Sequence, residues 1–289
     1  MLLAIRYCKE NNIEFILSSK NAGFTLKEGW KDYFKPFCQE SNTILDKYFN
    51  FRNVKTCSYR SLKNINLIKW HLKHDLKNLF ILFLRGFGYK TLHTQDVWEK
   101  LFTYYNHDNS ALKRRDTFYK DLIKQIFVYN ERIEEQIKNT IEGLQLPSEY
   151  ISCQIRDGDK DTEFPLLSVK QYIEQFEKKT SCKNIFILTD NYDIFLECQQ
   201  TYPEYNWYTL CNEEEKGYYH QIFKKENTER KQQQYINLLS SIEIFAHSTF
   251  FFGTLTANPG LFMALRCPEK FIIVDGSPIQ TPQLEIITP

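Results

Sequence analysis

The residues best suited to chemistry lie in one polar stretch near the middle of the chain, QIRDGDKDTE at residues 154–163. It contains Arg156, whose guanidinium is always charged and can form two parallel hydrogen bonds to a phosphate. It also contains Glu163, a carboxylate able to act as a general base towards a hydroxyl group. A solvated acidic loop would contain the same residue types. This stretch by itself therefore leaves a phosphate-binding site and a surface loop as equal interpretations.

A second stretch, GTLTANPG at residues 253–260, joins an apolar run to a helical one through small and hydroxyl-bearing residues. Thr254, Thr256 and Ala257 allow a ligand to approach the backbone closely, and Pro259 after Asn258 is typical of the start of a helix. The N–H groups and partial positive charge of a helix N-terminus favour a phosphate. A simple capping role for Thr256 is the competing interpretation.

The elements that must position these stretches follow a regular rhythm after residue 147. Apolar runs predict strands at residues 150–155, 185–188, 207–210, 249–253 and 271–274. Helical spacing predicts a helix capped by Ser168 and further helices at residues 192–200, 232–246 and 258–265. The strands are too apolar to have one wet face, which favours a parallel sheet covered on both sides. Ligands of such sheets bind beyond the carboxyl ends of the strands, where both polar stretches fall.

The first half of the chain is less regular. Its spacing predicts a helix at residues 1–11, a strand at 13–17, a helix at 41–49 and a buried strand at 79–84. A long helical pattern runs from residue 111 to 144, where Gly143 and Pro147 end it. An aromatic loop spans residues 29–37. The change of rhythm predicts two α/β domains, at residues 1–146 and 147–289, of which the second is a doubly wound parallel sheet.

Composition excludes several classes of protein. The 42% hydrophobic and 25% charged residues are typical of a globular chain, and a net charge of +1 argues against a nucleic-acid partner. The eight cysteines are widely spaced without a paired motif, which predicts reduced, buried thiols. No secretory signal, glycosylation sequon or apolar run of about 18 residues is visible. We therefore expect no membrane span and a cytoplasmic location.

The two polar stretches and the strand between them, taken in order, resemble the fucosyltransferase superfamily. The family's first motif is H-x-R-x-x-D-K, and here it stands as QIRDGDK at residues 154–160. The family's middle strand ends in A-T-D, which is LTD at residues 188–190. Its T-F-S-S turn before a helix corresponds to TLTA at residues 254–257. WKDYF at residues 30–34 extends the similarity into the first half of the chain.

This resemblance implies a GT-B-like fold of two Rossmann-like domains that face a cleft, and an inverting glycosyltransferase that needs no metal or other cofactor. Its partners would be a nucleotide-sugar donor and an oligosaccharide or glycan acceptor. Arg156 would bind the β-phosphate, and Thr256 with the N–H groups after it would hold the same diphosphate. Glu163 would be the base, with Lys160 nearby. The implied donor-binding set also contains Gln154, Asp190, Ser241, Thr254, Ala257 and Asn258.

Two departures from the family concern the nucleotide base. Gln154 replaces the family's His, and Ser241 stands where members have an Asp that binds guanine. A site that loses such polar partners loses much of its discrimination. The diphosphate half of the site is thus retained, whereas the identity of the base stays open between guanine and uracil. Three hypotheses stay open: transfer of fucose or a related sugar, the same reaction from a UDP-sugar such as UDP-xylose, and a non-catalytic glycan- or nucleotide-binding module.

Metal-binding interpretations of the first stretch fail. Asp157, Asp159 and Asp161 resemble the start of a calcium loop, but Thr162 and Ser168 occupy the positions of its glycine and closing glutamate. The Asp157-Gly158-Asp159 triplet also matches the D-x-D pattern of metal-dependent glycosyltransferases, which is common by chance. The six histidines show no convincing ligand spacing. We therefore predict no metal site.

Overall fold

The computed structural model describes residues 1–20, 22, 24–41, 117–157, 167–217, 223, 226–255 and 257–274. The helix expected at residues 41–49 and the strand at 79–84 lie outside this part, apart from Ser41. The described residues belong to two compact units. One contains Met1–Asp32 and residues 36–41. The other contains Tyr33–Lys35 and residues 117–274, and carries the parallel sheet.

The first unit begins with helix α1, Leu2–Glu10, which confirms the expected helix. The strand expected at residues 13–17 is wrong: among the described residues this segment makes only one bridge, between Leu17 and Glu40. Its alternating apolar residues do not mark a buried face, since Ile13 and Ile16 are 50% and 47% exposed. An extended segment becomes a strand only where a second backbone runs alongside it.

The aromatic loop of this unit is organised by the carboxylate of Asp32, at the end of a 3-10 helix, Gly29–Asp32. The backbone N–H groups of residues 26–29 all donate to this carboxylate, at 2.8–3.0 Å. Burial opposes ionisation, but these four donors lower the pKa of the Asp32 carboxyl below its ordinary value. Gly29 has a φ of +78°, and a Cβ there would lie 2.2 Å from Ser19 Oγ.

The second unit is built on five parallel strands: β1 (Ile151–Gln154), β2 (Asn184–Leu188), β3 (Asn206–Tyr208), β4 (Phe251–Gly253) and β5 (Phe271–Ile273). Their order in the sheet is β3-β2-β1-β4-β5. The chain therefore winds outwards from β1 in one direction and then returns to its other side. This order confirms the predicted α/β class and the doubly wound parallel sheet.

Among the described residues of the second unit, these strands are accompanied by the helices α2 (Phe118–Ile126), α3 (Glu131–Gly143), α4 (Val169–Lys179), α5 (Tyr192–Thr201), α6 (Thr228–His247) and α7 (Asn258–Arg266). The side chain of Gln171 accepts a hydrogen bond from the N–H of Ser168, the expected cap of α4. The sheet separates two apolar clusters. Phe176 and Phe252 meet in one of them, and Phe245 and Phe251 meet in the other.

The continuous helical pattern of residues 111–144 is interrupted in the structure. Between α2 and α3 the backbone is extended, because Val128 accepts a hydrogen bond from Lys35 and Asn130 donates one to Tyr33. The Asn130 side chain then caps α3 by accepting from the N–H of Ile133. Pairing with a distant segment thus overrides the local helical period.

Helices α2 and α3, which the sequence assigns to the N-terminal domain, pack within the second unit. Phe127, which follows α2, meets Phe262 of α7 with ring centroids 4.8 Å apart. Tyr129 donates to Glu243 of α6 at 2.7 Å, and Arg266 of α7 forms two hydrogen bonds of 2.8 Å to the same carboxylate. The expected boundary between residues 146 and 147 therefore falls inside this compact unit.

The cysteines of the described residues are free, and Cys153 and Cys198 lie fully buried in the apolar core. Burial raises the pKa of the Cys198 thiol to about 12. These thiols fill the core, as the sequence indicates. Within the described part of the chain, no helix combines the length and the hydropathy needed to cross a membrane.

Replacing Glu243 with Gln should lower the free energy of unfolding by about 1–3 kcal/mol, since Arg266 would lose its counter-charge while mostly buried. Urea unfolding at neutral pH measures this loss. The matched control is Glu142→Gln, which removes the exposed ion pair between Lys138 and Glu142. That change should cost less than about 0.5 kcal/mol. Equal losses in the two variants would contradict the assignment.

Asp32 should make the stability of the protein depend on pH in the acidic range. Its folded-state pKa lies below the unfolded value of about 3.9, so its contribution is fully present above that value. The contribution should disappear as the pH falls through the lowered folded-state pKa. Asp32→Asn should lower the free energy of unfolding at pH 7 by about 2 kcal/mol. Urea titrations of both proteins from pH 7 to 2.5 should show this gap closing; a constant gap would contradict the argument.

Candidate functional site

The sheet has one point where the chain changes its direction of winding, between β1 and β4. These strands pair in register with Cys153 opposite Phe252. The connection after β1 leads to β2 on one side, whereas the connection after β4 leads to β5 on the other. The diverging connections leave a crevice at the carboxyl ends of the two strands. Residues 155–157 follow β1 there, and Thr254 and Leu255 follow β4, so the topology brings the described parts of both polar stretches to one edge of the sheet.

Arg156 lies at this crevice, separated from the end of β1 by Ile155, and is partly buried. Among the described residues its guanidinium makes no hydrogen bond or ion pair. The group carries five N–H donors and a permanent charge. A guanidinium left without a protein partner is available to an anion, and its geometry suits a phosphate.

The backbone on both sides of Arg156 is held firmly. The Tyr172 hydroxyl donates to the carbonyl of Gln154 at 2.6 Å, and the N–H of Ile155 donates to Leu188 at 3.0 Å. The N–H of Asp157 donates to Oδ1 of Asp190 at 2.9 Å. Asp190, predicted as a donor-binding residue, thus uses one carboxylate oxygen to hold the turn after β1.

Gln154 places an unsatisfied acceptor in the same region. Its side chain is only 7% exposed, and Oε1 has no hydrogen-bond partner among the described residues. A buried amide oxygen without a partner costs about 1–3 kcal/mol relative to a bonded one. A ligand with an N–H or O–H group could remove that cost. The position of Gln154 at the end of β1 is compatible with the predicted contact to the donor, which stays a prediction.

Ser241 lies in the interior of α6 with no exposed surface. Its hydroxyl donates to the carbonyl of Asn237, one turn earlier, at 2.7 Å. Asn237 in turn donates from its amide to the carbonyl of Leu210, which follows β3. The proton that Ser241 could offer to a nucleotide base is therefore already used within the helix. Base recognition by Ser241 stays a prediction.

The turn from β4 into α7 depends on close backbone packing. A Cβ on Gly260 would lie 2.0 Å from the carbonyl oxygen of Thr254, so this position needs glycine. The N-cap of α7 is Ala257, which offers no side-chain acceptor, and Pro259 follows Asn258 in the first turn. Thr256 lies outside the described residues, so capping by its side chain stays the competing interpretation. Ala257 itself supplies no acceptor to the N–H groups of the first turn, which favours an external anion.

Three predicted residues, Lys160, Glu163 and Thr256, lie outside the described residues, so their roles stay predictions. Two further residues support the site but were not predicted as part of it. They are Tyr172 of α4 and Asn191, which follows β2. Nothing local distinguishes them, because their partners lie 18 and 34 residues away in the sequence. Among the described residues there is no group of three potential metal ligands.

No protein-family model matches the sequence, and no curated protein does. Similarity is found among solved structures. NodZ alpha-1,6-fucosyltransferase soaked with GDP-fucose has 10% identity and a TM-score of 0.49, over 92% of this chain and 87% of that one. The fucosyltransferase NodZ from Bradyrhizobium has 9% identity and a TM-score of 0.46, over 92% and 86%. POFUT1 in complex with GDP has 14% identity and a TM-score of 0.36, over 55% and 50%.

The two NodZ structures are described as those of a fucosyltransferase. Identities of 9–14% and TM-scores below 0.5 do not assign an activity. The function of this chain must therefore be argued from its own residues.

Gly260→Ala should destabilise the protein by about 1–3 kcal/mol, because the added Cβ meets a backbone oxygen that cannot move aside cheaply. The loss can be measured by urea unfolding. Gly143→Ala is the matched control at the end of α3, where a Cβ meets nothing within 4 Å. That change should be neutral or stabilise by up to about 1 kcal/mol. If the two variants behave alike, the close approach of Gly260 to Thr254 is wrong.

Proposed function

We propose that this protein is a glycosyltransferase that takes a sugar from a nucleotide-diphosphate sugar. The observation that carries the proposal is Arg156, which is partly buried and has no hydrogen bond or ion pair among the described residues. It follows the strand that pairs with β4, and β4 leads into α7, whose N-cap Ala257 offers no side-chain acceptor. Both features favour an anion, and they meet at the point of the sheet where ligands of doubly wound folds bind. The ordered motifs of the sequence support the same assignment independently of the geometry.

In this proposal the diphosphate of the donor lies between Arg156 and the first turn of α7. Negative charge grows on the diphosphate as its bond to the anomeric carbon breaks. A permanent cation and a helix N-terminus that are already in place stabilise that charge without reorganisation. The sugar passes through an oxocarbenium-like state, and an acceptor hydroxyl attacks from the opposite face. The reaction is therefore inverting, and its leaving group is stabilised by protein groups rather than by a metal ion.

The proposed acceptor is a hydroxyl group of an oligosaccharide or glycan. Glu163 would remove the proton of that hydroxyl as the new bond forms, with Lys160 close to it in sequence. A cytoplasmic location is part of the same proposal. The motif resemblance supports these roles, since Lys160 matches the last residue of the family's first motif and Glu163 matches a family Glu that follows it.

Fucose or a related sugar is the group that we propose to be transferred, and the NodZ and POFUT1 complexes make GDP-fucose the first donor to test. A UDP-sugar such as UDP-xylose is the second candidate. It is favoured by the replacement of the family's two base-reading groups, and by Ser241, whose proton is committed to Asn237. In a UDP-sugar, the uracil would be contacted by Gln154, whose Oε1 has no hydrogen-bond partner among the described residues.

Arg156→Ala should weaken binding of GDP or UDP and lower kcat/KM for the donor by about 10²–10³, the loss expected when a charge-stabilising donor is removed. Isothermal titration calorimetry with GDP and UDP, and product detection with GDP-fucose and UDP-xylose, measure the two effects. Arg156→Lys should recover only part of the loss, since an ammonium binds as a point charge.

The control is Arg132→Ala on the exposed side of α3, which should change neither affinity nor turnover. Unchanged diphosphate affinity in Arg156→Ala would contradict the proposed site. Tight nucleotide binding by the wild-type protein, with no product from either sugar donor and several glycan acceptors, would favour the non-catalytic module.

A further inference from the structure

The side chain next to the candidate phosphate ligand has a partner of its own. Asp157 follows Arg156 directly, and its Oδ2 accepts a hydrogen bond of 2.7 Å from the amide of Asn191. Its backbone N–H is held by Asp190, as described above. The turn after β1 is therefore tied through both the backbone and the side chain of one residue to the loop after β2.

Asn191 is itself well fixed. Its Oδ1 accepts from the N–H of Asp193 at 3.0 Å and so caps α5, while its backbone bridges to Lys216. The Thr189 hydroxyl accepts from the backbone N–H of Asn191 at 3.2 Å. Both ends of the Asn191 amide are thus committed, one to the helix and one to Asp157. Because the Asn191 side chain is fixed at both ends, it holds the turn after β1 in a defined position.

We propose that Asn191 and Asp157 are positioning residues that hold the Arg156 guanidinium free and directed into the crevice for a diphosphate. The inference rests on the proposed function of Arg156 and extends it. The pair of side chains is hereafter called the 157–191 clamp.

The clamp has an electrostatic reason. An Asp adjacent to an Arg is the nearest counter-ion available to it, and a charge-assisted pair between them would occupy the guanidinium. The Asn191 amide satisfies one oxygen of that carboxylate and fixes it on the β2 side of the turn. Arg156 has no hydrogen bond or ion pair among the described residues, although Asp157 is the next residue in the chain. A phosphate then meets a guanidinium that need not first release a partner.

The clamp also has a geometric reason. Residues 154, 155 and 157 are each held by a hydrogen bond, so the Cα of Arg156 has little freedom. A shift of about 1 Å in a positioned group is enough to cost a factor of 10² in a reaction. Loss of the clamp would remove the hydrogen bond between the Asp157 and Asn191 side chains, while the pairing of the strands would stay intact.

The test exchanges the two groups of the clamp. Asn191→Asp keeps an acceptor for the N–H of Asp193 and so keeps the helix cap, but it sets two carboxylates against each other. It should raise the Kd for GDP or UDP, whichever the wild-type protein binds, by about tenfold. The double variant Asp157→Asn with Asn191→Asp restores one amide and one carboxylate in reversed positions. It should bind within about threefold of the wild type.

The Kd of the matching nucleoside, guanosine or uridine, distinguishes a loss of Arg156 positioning from general damage to the fold. The nucleoside has no phosphate, so its Kd should change less than about twofold in Asn191→Asp. Asn191→Asp should also add nothing to Arg156→Ala, because its effect passes through Arg156. Asn206→Ala is the control for an asparagine of the same sheet, since its amide donates to Asn184 at the amino end of the strands. It should leave both affinities unchanged.

The outcomes distinguish this inference from the proposed function. If Arg156→Ala binds the diphosphate as well as the wild type does, the proposed site fails and the clamp with it. If Arg156→Ala loses affinity while Asn191→Asp keeps it, the clamp alone is wrong. Equal loss of nucleoside and nucleoside diphosphate, or no recovery in the exchanged double variant, would show a merely structural link and would also overturn the inference.

Discussion

The parallel pairing of β1 with β4 is the contact on which the candidate site depends. It joins segments about 100 residues apart, through hydrogen bonds such as the one from the N–H of Ser152 to Phe250. The pairing places the ends of the two strands side by side and makes the following connections diverge. Without it, Arg156 and the start of α7 would be two unrelated loops. With it, a cation and a helix N-terminus share one crevice, and each adds to the other's attraction for an anion.

Aromatic packing supports that pairing on both faces of the sheet. Phe252 meets Phe176 on one face, and Phe251 lies 4.2 Å from Phe245, centroid to centroid, on the other. Each of these rings is almost fully buried. Burial of a Phe side chain contributes about 1.5–3 kcal/mol relative to exposure. A strand of only three residues can therefore hold its place between β1 and β5, since the burial of its side chains adds to its few backbone hydrogen bonds.

The protein treats its partly buried charges in two different ways. Asp32 receives four backbone hydrogen bonds, and Arg266 is matched by both oxygens of Glu243. These charges are balanced internally, as stability requires. Arg156 contrasts with them, because its neighbours are fixed while its guanidinium is unpaired among the described residues. This contrast separates charges that stabilise the fold from one that is available for binding.

The sequence by itself determined the alternation of strands and helices after residue 147, because each element there has an apolar period that its own residues define. It also determined which residues follow the strands, including Arg156 and the small residues before α7. Only the tertiary structure decided where the helical pattern of residues 111–144 breaks, since Tyr33 and Lys35 bond to the intervening backbone. The failed strand at residues 13–17 has the same origin: strands need partners, and partners are not local. The tertiary structure likewise revealed the hydrogen bond that Asp157 accepts from Asn191 and the burial of Ser241, because burial and long-range hydrogen bonds depend on which segments meet.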